Sequence, residues 1–347
     1  MGEVLDRGPV AAGGYVGRLA PSPTGALHLG NARTFMVAWL RARTLGGKVV
    51  MRMEDLDHPR DKPGAAAAAL EDLRWLGFDW DEEYVQSGRK AIYRSALEFL
   101  RSRGLVYPCV CSRRDVESAQ SAPHSGDQLY YPGTCRGRFA DWDAAFASLN
   151  PTSPDETSKH HPPRLPCWRF RVDGDARVAF EDAFAGRYES NVAETLGDFP
   201  LAREAGGAGY TLAAVVDDLL MGVTEVVRGD DLLAATPAQI LVARSLCEWL
   251  PETCRQLPAY CHVPLVVGPD GRRLAKRHGD TRIATFRESG ASAESVVGLL
   301  AASCGWCAPG EDVSLRALIP RFSLAKIPRH PFVYTKNIFP HKANIML

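Results

Sequence analysis

The sequence predicts an α/β protein built on a parallel sheet with crossover helices. Short apolar stretches at 15–20 and 48–55 are each followed by a segment with the periodicity of an amphipathic helix. Regular patterning of the same kind returns near Tyr210. Because alternating strands and helices are typical of parallel sheets, we expect these segments to share one sheet.

The N-terminal third contains two predicted strands and three predicted helices. The first helix places Phe35, Met36 and Trp39 on one apolar face and ends at Gly46, a residue type that often follows a helix. The predicted elements are strands at 15–20 and 48–55 and helices at 32–47, 65–78 and 90–105.

The middle of the chain is less regular. Residues 109–165 contain cysteines, Ser, Pro, Gly and His with little periodicity, and 151–164 indicate a loop. The stretches CWRFRV and RVAFED predict strands of a smaller insert. In the last third we expect strands at 224–229 and 262–268, a helix at 237–250 and a helical region from 292 to 306.

Composition excludes several classes of protein. The chain has 347 residues, enough for about two or three domains, of which 46% are apolar and 24% charged, as in soluble globular proteins. No apolar run is long enough for a membrane span, and the N-terminus does not resemble a secretory signal. The 41 basic and 41 acidic residues cancel, which argues against binding nucleic acid by bulk charge. The odd number of cysteines, nine, favours reduced thiols and a cytoplasmic protein.

One stiff turn connects the first strand to the first helix. It reads APSPTGALHLGN, residues 20–31, and lies where parallel sheets bind ligands. His28 and Asn31 share a helix face near an N-terminus that favours phosphate, and Gly30 allows close approach to the backbone. A neutral His28 can donate a hydrogen bond to a phosphate oxygen. The alternative is a purely structural turn in which His28 caps the helix.

A cationic stretch, GRRLAKRHGD, follows a predicted strand at residues 271–280. A mobile basic loop suits a triphosphate whose transition state gains negative charge. Its cationic residues are Arg272, Arg273, Lys276 and Arg277. The alternative is a solvated basic hairpin tip.

Together these stretches resemble the glutamyl-type class I aminoacyl-tRNA synthetases. The run from Arg18 to Gly30 is similar to their first signature, and RLAKR at 273–277 to their second, with Lys276 at the retained lysine. MEDLD at 53–57 and VVDDLLMGVTEVVRGDDLL at 215–233 also resemble that family, so the similarity extends from about residue 15 to about 330.

Two departures from the family pattern stand out. Asn31 replaces the second histidine of the first signature, and Arg273 and Ala275 replace a lysine and a serine of the second. These replacements leave the rate of ATP activation open.

The resemblance implies a Rossmann-like catalytic domain with a small zinc-containing α/β insert and a short helical C-terminal region. The stretch after Asp280 is too short for the helical anticodon-binding domain of full-length glutamyl enzymes, so none is expected. The expected segments are a flexible leader (1–14), the two halves of the catalytic domain (15–108 and 206–282), an insert with metal-binding and acceptor-binding roles (109–205) and a C-terminal helical stub (283–347).

Several polar residues predict a glutamate site. Arg18 and Arg228 end strands and can bind a carboxylate bidentately, Glu54 can meet the α-ammonium group, and the Tyr210 hydroxyl can close the pocket. In the family, the matching positions that contact glutamate are Arg18, Ala20, Ser22, Glu54, Tyr210 and Arg228. The alternative for each residue alone is a surface ion pair or a core tyrosine. Asp217 and Asp218 are expected behind the site, or as helix-capping or packing residues.

The same resemblance implies the catalytic and nucleotide-binding residues. The catalytic set is His28, Asn31 and Lys276. The ATP-binding set is Pro21, Ser22, Thr24, Gly25, His28, Gly30, Asn31, Arg273, Leu274 and Lys276. Mg²⁺ is expected to accompany ATP, although the sequence contains no recognisable ligand set for it.

The insert predicts a metal site. Cys109, Cys111 and Cys135 offer three soft ligands suited to one structural, tetrahedral Zn²⁺. For the fourth ligand, Tyr131 matches the position used by truncated members of the family, and His124 and Asp127 are alternatives. Full-length relatives often use a histidine where this chain has Gly137. Buried cysteines without metal are the other interpretation.

A second cysteine pair lies near the C-terminal end of the similarity. Cys304 and Cys307 form a lone CxxC pair, which we interpret as packing because no second pair accompanies it.

The short C-terminal part and the stretch at 196–218 resemble a truncated branch, the glutamyl-queuosine tRNA(Asp) synthetases. This implies ATP-dependent, tRNA-independent activation of L-glutamate to glutamyl-adenylate, and transfer to the queuosine base of tRNA(Asp). The expected partners are glutamate and queuosine-containing tRNA(Asp), with no membrane and with a monomeric chain. One alternative is a minimal glutamyl-tRNA synthetase that charges a tRNA 3′ end. Another is a non-catalytic tRNA-binding relic.

Overall fold

The computed structural model describes residues 14–56, 62–119, 129–151, 163–203, 207–252, 256–274 and 280–335. The predicted leader therefore lies outside the described residues except for Gly14, and most of the loop predicted at 151–164 is also outside them. The residues with predicted roles that fall outside this part are His124, Asp127, Ala275, Lys276 and Arg277. Within the described part, no helix is both long and apolar enough to span a membrane.

The first half of the fold is a parallel three-stranded sheet with its helices. Strands β1 (Val16–Leu19), β2 (Lys48–Met53) and β3 (Glu82–Val85) lie side by side in that order. They alternate with helices α1 (Leu29–Thr44), α2 (Ala65–Trp75) and α3 (Lys90–Ser102). The predicted strands and helices of this half are confirmed. Strand β3 was not predicted, because its sequence is acidic and half of its residues are exposed.

Local sequence explains how these helices form and pack. Helix α3 buries Tyr93, Ala96, Leu97 and Leu100, the spacing of one apolar helix face. Helix α1 ends where Gly46 takes a positive φ of 65°, a conformation that glycine adopts without strain.

The middle of the chain forms a second, antiparallel sheet. Strand β4 (Val106–Cys109) is followed by helices α4 (Arg113–Ala119) and α5 (Trp142–Leu149) and by strand β5 (Cys167–Phe170). Next come β6 (Arg177–Asp182), β7 (Gly186–Asn191), α6 (Val192–Thr195) and β8 (Phe199–Ala202). Strands β4, β5 and β8 form the antiparallel sheet, which confirms the strand predicted from CWRFRV.

The other predicted insert strand has a different position. Strand β6, the RVAFED segment, pairs in parallel with β10 (Ala259–Val263), which lies next to β9 (Glu225–Gly229). The sheet order is β7-β6-β10-β9, so β6 extends the sheet that contains β9. The strand predicted within the insert is thus present, but the sequence did not indicate its partner, because alternation alone does not reveal the partner of a strand.

The last third supplies the remaining helices. Helix α7 (Tyr210–Leu220) precedes β9, and α8 (Thr236–Ser245) precedes β10. The strand predicted at 262–268 is divided into β10 and β11 (Val266–Val267), with Pro264, which has no N–H to donate, between them. Helices α9 (Ile283–Glu288) and α10 (Ala293–Ala302) and strand β12 (Phe332–Val333) follow.

The three-stranded parallel sheet meets the sheet of β9 and β10 at strands β1 and β9. The Thr224 N–H donates to the Val16 carbonyl, and the Arg18 guanidinium donates to the Val227 carbonyl at 2.6 Å. The carboxyl ends of β1, β2 and β9 therefore lie near one another. The C-terminal segment packs on the same core, where the buried Arg33 of α1 donates to Ser303 Oγ and the Pro264 carbonyl.

Candidate active site

His28 caps helix α1. Its Nδ1 accepts from the backbone N–H groups of Gly30, at 3.1 Å, and Asn31, at 3.4 Å, and the Asn31 side chain accepts from the His28 N–H. The structural alternative for His28 is therefore present. It does not exclude the chemical one, because Nδ1 is an acceptor and the ring proton must lie on Nε2, where it can still be donated.

The environment keeps this histidine neutral. Burial, together with the nearby Arg273, lowers the pKa of His28 to about 4. A Cβ on Gly30 would lie 3.0 Å from His28 Cε1, so this glycine gives space to the imidazole ring rather than only to a ligand. A neutral donor is therefore fixed at the start of α1.

The chain just after the cationic stretch lies beside this turn. The Leu29 N–H donates to the Thr281 carbonyl, the Ile283 N–H donates to the Leu27 carbonyl, and His28 pairs with Arg282 across an isolated bridge. The segment that follows the second predicted signature is thus next to the first signature in space, although more than two hundred residues separate them in sequence.

The described part of the cationic stretch starts as a hairpin. Arg273 pairs with Val267, and its guanidinium donates to Asp231 at 2.8 Å. Leu274 is buried in the core, whereas Arg273 is exposed. Lys276 lies outside the described residues, so its predicted role stays a prediction.

The predicted ATP-binding residues of the first signature lie in the turn between β1 and α1. Pro21 is buried and Ser22 is exposed, while Thr24, Gly25, His28, Gly30 and Asn31 are partly buried. The Pro21 carbonyl accepts from the Glu54 N–H, which joins this turn to the end of β2. The contact brings the turn next to the predicted glutamate residues.

A buried ion-pair network lies at these strand ends. Arg52 on β2 is almost fully buried and donates to Glu54, at 3.0 Å, and to Asp218 of α7. Arg18 Nε lies 3.7 Å from the same Asp218 carboxylate and has no hydrogen-bond partner. Burial raises the pKa of the Glu54 carboxyl, and Arg52 opposes this effect. The unpartnered, buried Nε of Arg18 leaves one strong donor available.

Arg228 on β9 is the second predicted arginine. Arg228 is buried, and its Nη1 lies 3.4 Å from the hydroxyl of Tyr210. Tyr210 itself is 45% exposed. Ala20 is partly buried just after β1. The structure thus places the predicted glutamate-binding residues at the ends of β1, β2 and β9 and at the start of α7.

Asp217 and Asp218 have different surroundings. Asp218 joins the Arg18 and Arg52 network, as expected for a residue behind the site. Asp217 is fully buried and accepts from Gln86, Arg89 and Tyr93, so it links α7 to α3 and to the residues just before α3.

Sequence reasoning missed four polar residues around the site. Arg52 could have been found, because positions 52 and 54 of a strand face the same side. The others, Asp182, Thr236 and His262, lie within or beside apolar segments where only strand pairing reveals their contacts.

The three predicted cysteines of the insert form a cluster. The Sγ atoms of Cys109, Cys111 and Cys135 lie within 4.8 Å of one another, the one such group among the described residues. The Tyr131 hydroxyl lies 3.3 Å from Cys109 Sγ and 3.6 Å from Cys111 Sγ, and it accepts from the Cys135 N–H. Three sulfurs and one phenol oxygen thus lie close enough together to hold one metal ion.

Four other residues were considered as metal ligands or as a cysteine pair. His124 and Asp127 lie outside the described residues. Cys304 is buried and the Cys307 thiol donates to the Gly298 carbonyl, and neither belongs to the group of possible metal ligands in the described part.

Comparison with known proteins gives the family. Residues 15–315 match the family model described as tRNA synthetases class I (E and Q), catalytic domain. The chain belongs to this class I synthetase family.

Relatives with similar sequences indicate which branch of this family the chain resembles. Proteins named glutamyl-Q tRNA(Asp) synthetase from Symbiobacterium thermophilum and Rhodopirellula baltica are 45% and 43% identical to this chain. The alignments cover 91% of this chain in both cases, and 94% and 95% of the relatives. The resemblance to the glutamyl-queuosine branch is confirmed.

Solved structures agree with the fold. A crystal structure of a glutamate tRNA ligase from Elizabethkingia meningosepticum, in complex with its amino acid, superimposes with a TM-score of 0.74 at 25% identity. The match covers 94% of this chain and 68% of that one. The predicted fold class, a class I synthetase catalytic domain with a parallel sheet, is confirmed.

Proposed function

We propose that this chain activates L-glutamate with ATP, without tRNA, and transfers the glutamyl group to the queuosine base of tRNA(Asp). The observation that carries the proposal is the meeting of the first signature, and of the segment that follows the second, with Arg18, Glu54 and Arg228 at one edge of the parallel strands. The names of the similar relatives support the choice of acceptor.

The donors in the pocket favour glutamate over glutamine. Arg18 is buried with no hydrogen-bond partner at Nε, and Nη1 of Arg228 lies at the Tyr210 hydroxyl. A guanidinium can only donate, and a carboxylate accepts at both of its oxygens. Glutamate therefore satisfies these donors, whereas the side-chain amide of glutamine turns an NH₂ group, itself a donor, toward one of them.

Each pocket residue then has a role. The two strand-end arginines bind substrate carboxylate, Glu54 accepts from the ammonium group, and the Tyr210 hydroxyl closes the open side. Ala20 and Ser22 line the turn over the substrate.

Activation joins glutamate to the nucleotide. A glutamate α-carboxylate oxygen attacks the α-phosphorus of ATP, the bond to pyrophosphate breaks, and a mixed anhydride with AMP forms. His28 donates from Nε2 to a phosphate oxygen, Asn31 supplies a second polar group, and Lys276 and Arg273 balance the developing charge. Mg²⁺ accompanies the triphosphate as part of the substrate.

Transfer completes the reaction. A hydroxyl of the queuosine cyclopentene ring attacks the carbonyl carbon of the anhydride and forms an ester. The bond from that carbon to the phosphate oxygen breaks, AMP leaves, and the hydroxyl proton passes to the departing phosphate. Positioning provides most of the rate gain, since both reactants are held in one cleft. ATP, glutamate and tRNA place this reaction in the cytoplasm.

The insert has a supporting role. We assign residues 109–205 to tRNA contact, with 15–108 and 206–282 as the catalytic halves. Cys109, Cys111, Cys135 and Tyr131 would hold one zinc ion that fixes the loops structurally.

The test combines labelled glutamate, ATP and tRNA with or without queuosine. The proposal predicts label only on queuosine-containing tRNA(Asp). Label on queuosine-free tRNA that is lost after periodate oxidation of the 3′ end would instead identify a minimal glutamyl-tRNA synthetase. Absence of glutamate-dependent ATP–pyrophosphate exchange would identify a non-catalytic relic.

A further inference from the structure

A chain of hydrogen bonds crosses three neighbouring strands and ends at Arg228. On β10, His262 lies in register with Arg228 of β9, and β6 brings Asp182 to the other side. His262 Nδ1 lies 2.6 Å from Asp182 Oδ2, and Arg228 Nε lies 2.9 Å from His262 Nε2. The side chains of Asp182 and His262 are 0% exposed.

The hydrogen bonds fix the tautomer of His262. An arginine Nε can only donate, so His262 Nε2 must accept, and the ring proton must lie on Nδ1 facing Asp182. Asp182 is itself held, because its Oδ1 accepts from the backbone N–H groups of His262, Phe184 and Ala185. Burial lowers the pKa of His262, which agrees with a neutral ring.

The remaining contacts of Arg228 define which edge is free for substrate. Its Nη2 donates to Thr236 Oγ1 at 2.7 Å, while Nη1 lies near the half-exposed Tyr210. The edge formed by Nε and Nη2 is therefore occupied by the protein. The Nη1 side faces the pocket.

We propose that Asp182 and His262 are positioning residues that orient the Arg228 guanidinium toward a substrate carboxylate. This inference rests on the proposed function, since it assigns Arg228 to glutamate. Being fully buried, Asp182 and His262 do not touch substrate. They act only by holding Nε, so their loss should weaken glutamate binding without changing ATP binding.

The experiment measures KM for glutamate and for ATP in ATP–pyrophosphate exchange. His262→Phe keeps a ring but removes the acceptor, and we expect the glutamate KM to rise about ten- to a hundredfold while the ATP KM stays unchanged. His262→Gln restores an acceptor near the position of Nε2, and we expect it to recover most of the loss.

Two further variants make the test robust. Asp182→Asn keeps the shape but places an amide N–H opposite Nδ1, which moves the ring proton to Nε2 facing Arg228. It should raise the glutamate KM even if His262→Phe fails to fold. Cys261→Ala is the matched control, a buried residue on the same strand but the opposite face, and it should leave both KM values unchanged.

The outcomes separate this inference from the proposed function. No exchange by the wild-type protein would overturn both. Exchange by the wild type with an unchanged glutamate KM in folded His262→Phe and in Asp182→Asn would overturn the positioning role alone. Equal rises in the glutamate and ATP KM values would also overturn it, because they indicate general damage to the site.

Discussion

The candidate active site and the cysteine cluster are assembled in different ways. The pocket takes Arg18, Glu54 and Arg228 from three strands that are far apart in sequence. The cluster takes its sulfurs from two short segments, with Cys109 and Cys111 in one and Cys135 in the other. Strand register therefore brings the pocket residues together, whereas a bound metal ion would hold the cluster together. We expect a substitution in one region to leave the other unchanged.

The largest expected effect is a rise in the glutamate KM when a pocket residue is replaced, compared with a surface residue of the same sheet. Arg228→Ala removes a buried cation together with the N–H groups that donate to His262 and Thr236, so the glutamate KM should rise by about a hundred- to a thousandfold. The measurement is glutamate-dependent ATP–pyrophosphate exchange. Arg187→Ala, an exposed arginine on β7 with only surface ion pairs, is the control and should change nothing. An unchanged requirement in Arg228→Ala would remove this residue from the pocket.

The next largest effect is a slower activation step in a variant that still binds glutamate. Lys276→Ala should slow exchange about a hundredfold, because the cationic stretch loses a charge that we propose stabilises the triphosphate. Glutamate binding, measured by calorimetry without ATP, should stay at the wild-type level. Exchange at the wild-type rate would show that the cationic loop has no part in activation.

A third variant tests the independence of the cluster. Cys135→Ser should reduce the zinc content from about one ion per chain toward zero and lower the melting temperature, because the site loses one of its sulfur ligands. The glutamate KM should change less than about twofold, since the two regions share no ligand. Cys307→Ser, outside the cluster, should retain the metal. A wild-type protein without zinc would end this part of the account.

The smallest effect concerns the pH dependence of stability. His28 has a pKa of about 4 in the folded chain, against an ordinary value of 6.5, so the unfolded chain binds its proton more readily. Stability from this residue is complete above pH 6.5 and falls as the pH drops toward 4. His28→Asn keeps an N-cap side chain without a titrating ring. Denaturant unfolding should show a shallower loss of stability in the variant across this range, and parallel curves would contradict the assignment.

Sequence reasoning predicted the parts of the fold that have strong patterns. Strands β1, β2, β9 and β10 and helices α1, α3 and α8 have apolar faces or runs, and they lie near their predicted positions. Strands β3 and β7 were missed because solvent faces much of them, which favours charged residues. Position along the chain grouped β6 with the insert and did not reveal its partner β10, since pairing depends on contacts distant in sequence.

In the candidate site, too, the sequence indicated some residues and not others. Motifs indicated Arg18, Glu54 and Arg228, because chemistry restricts which residue types can occupy those positions. The residues that hold Arg228 could not be found in this way, since a buried histidine in an apolar strand has many structural explanations. Only the register of β6, β10 and β9 brings Asp182 and His262 together behind the arginine.

Activation of glutamate without tRNA is the step on which the proposed function depends most directly. ATP–pyrophosphate exchange by the purified chain, with glutamate or glutamine as the amino acid and with all tRNA removed, measures this step alone. We predict exchange with glutamate and none with glutamine, because the guanidinium donors of the pocket need a substrate group that accepts at both of its oxygens. Exchange that requires tRNA, or that proceeds equally with glutamine, would contradict the proposed function.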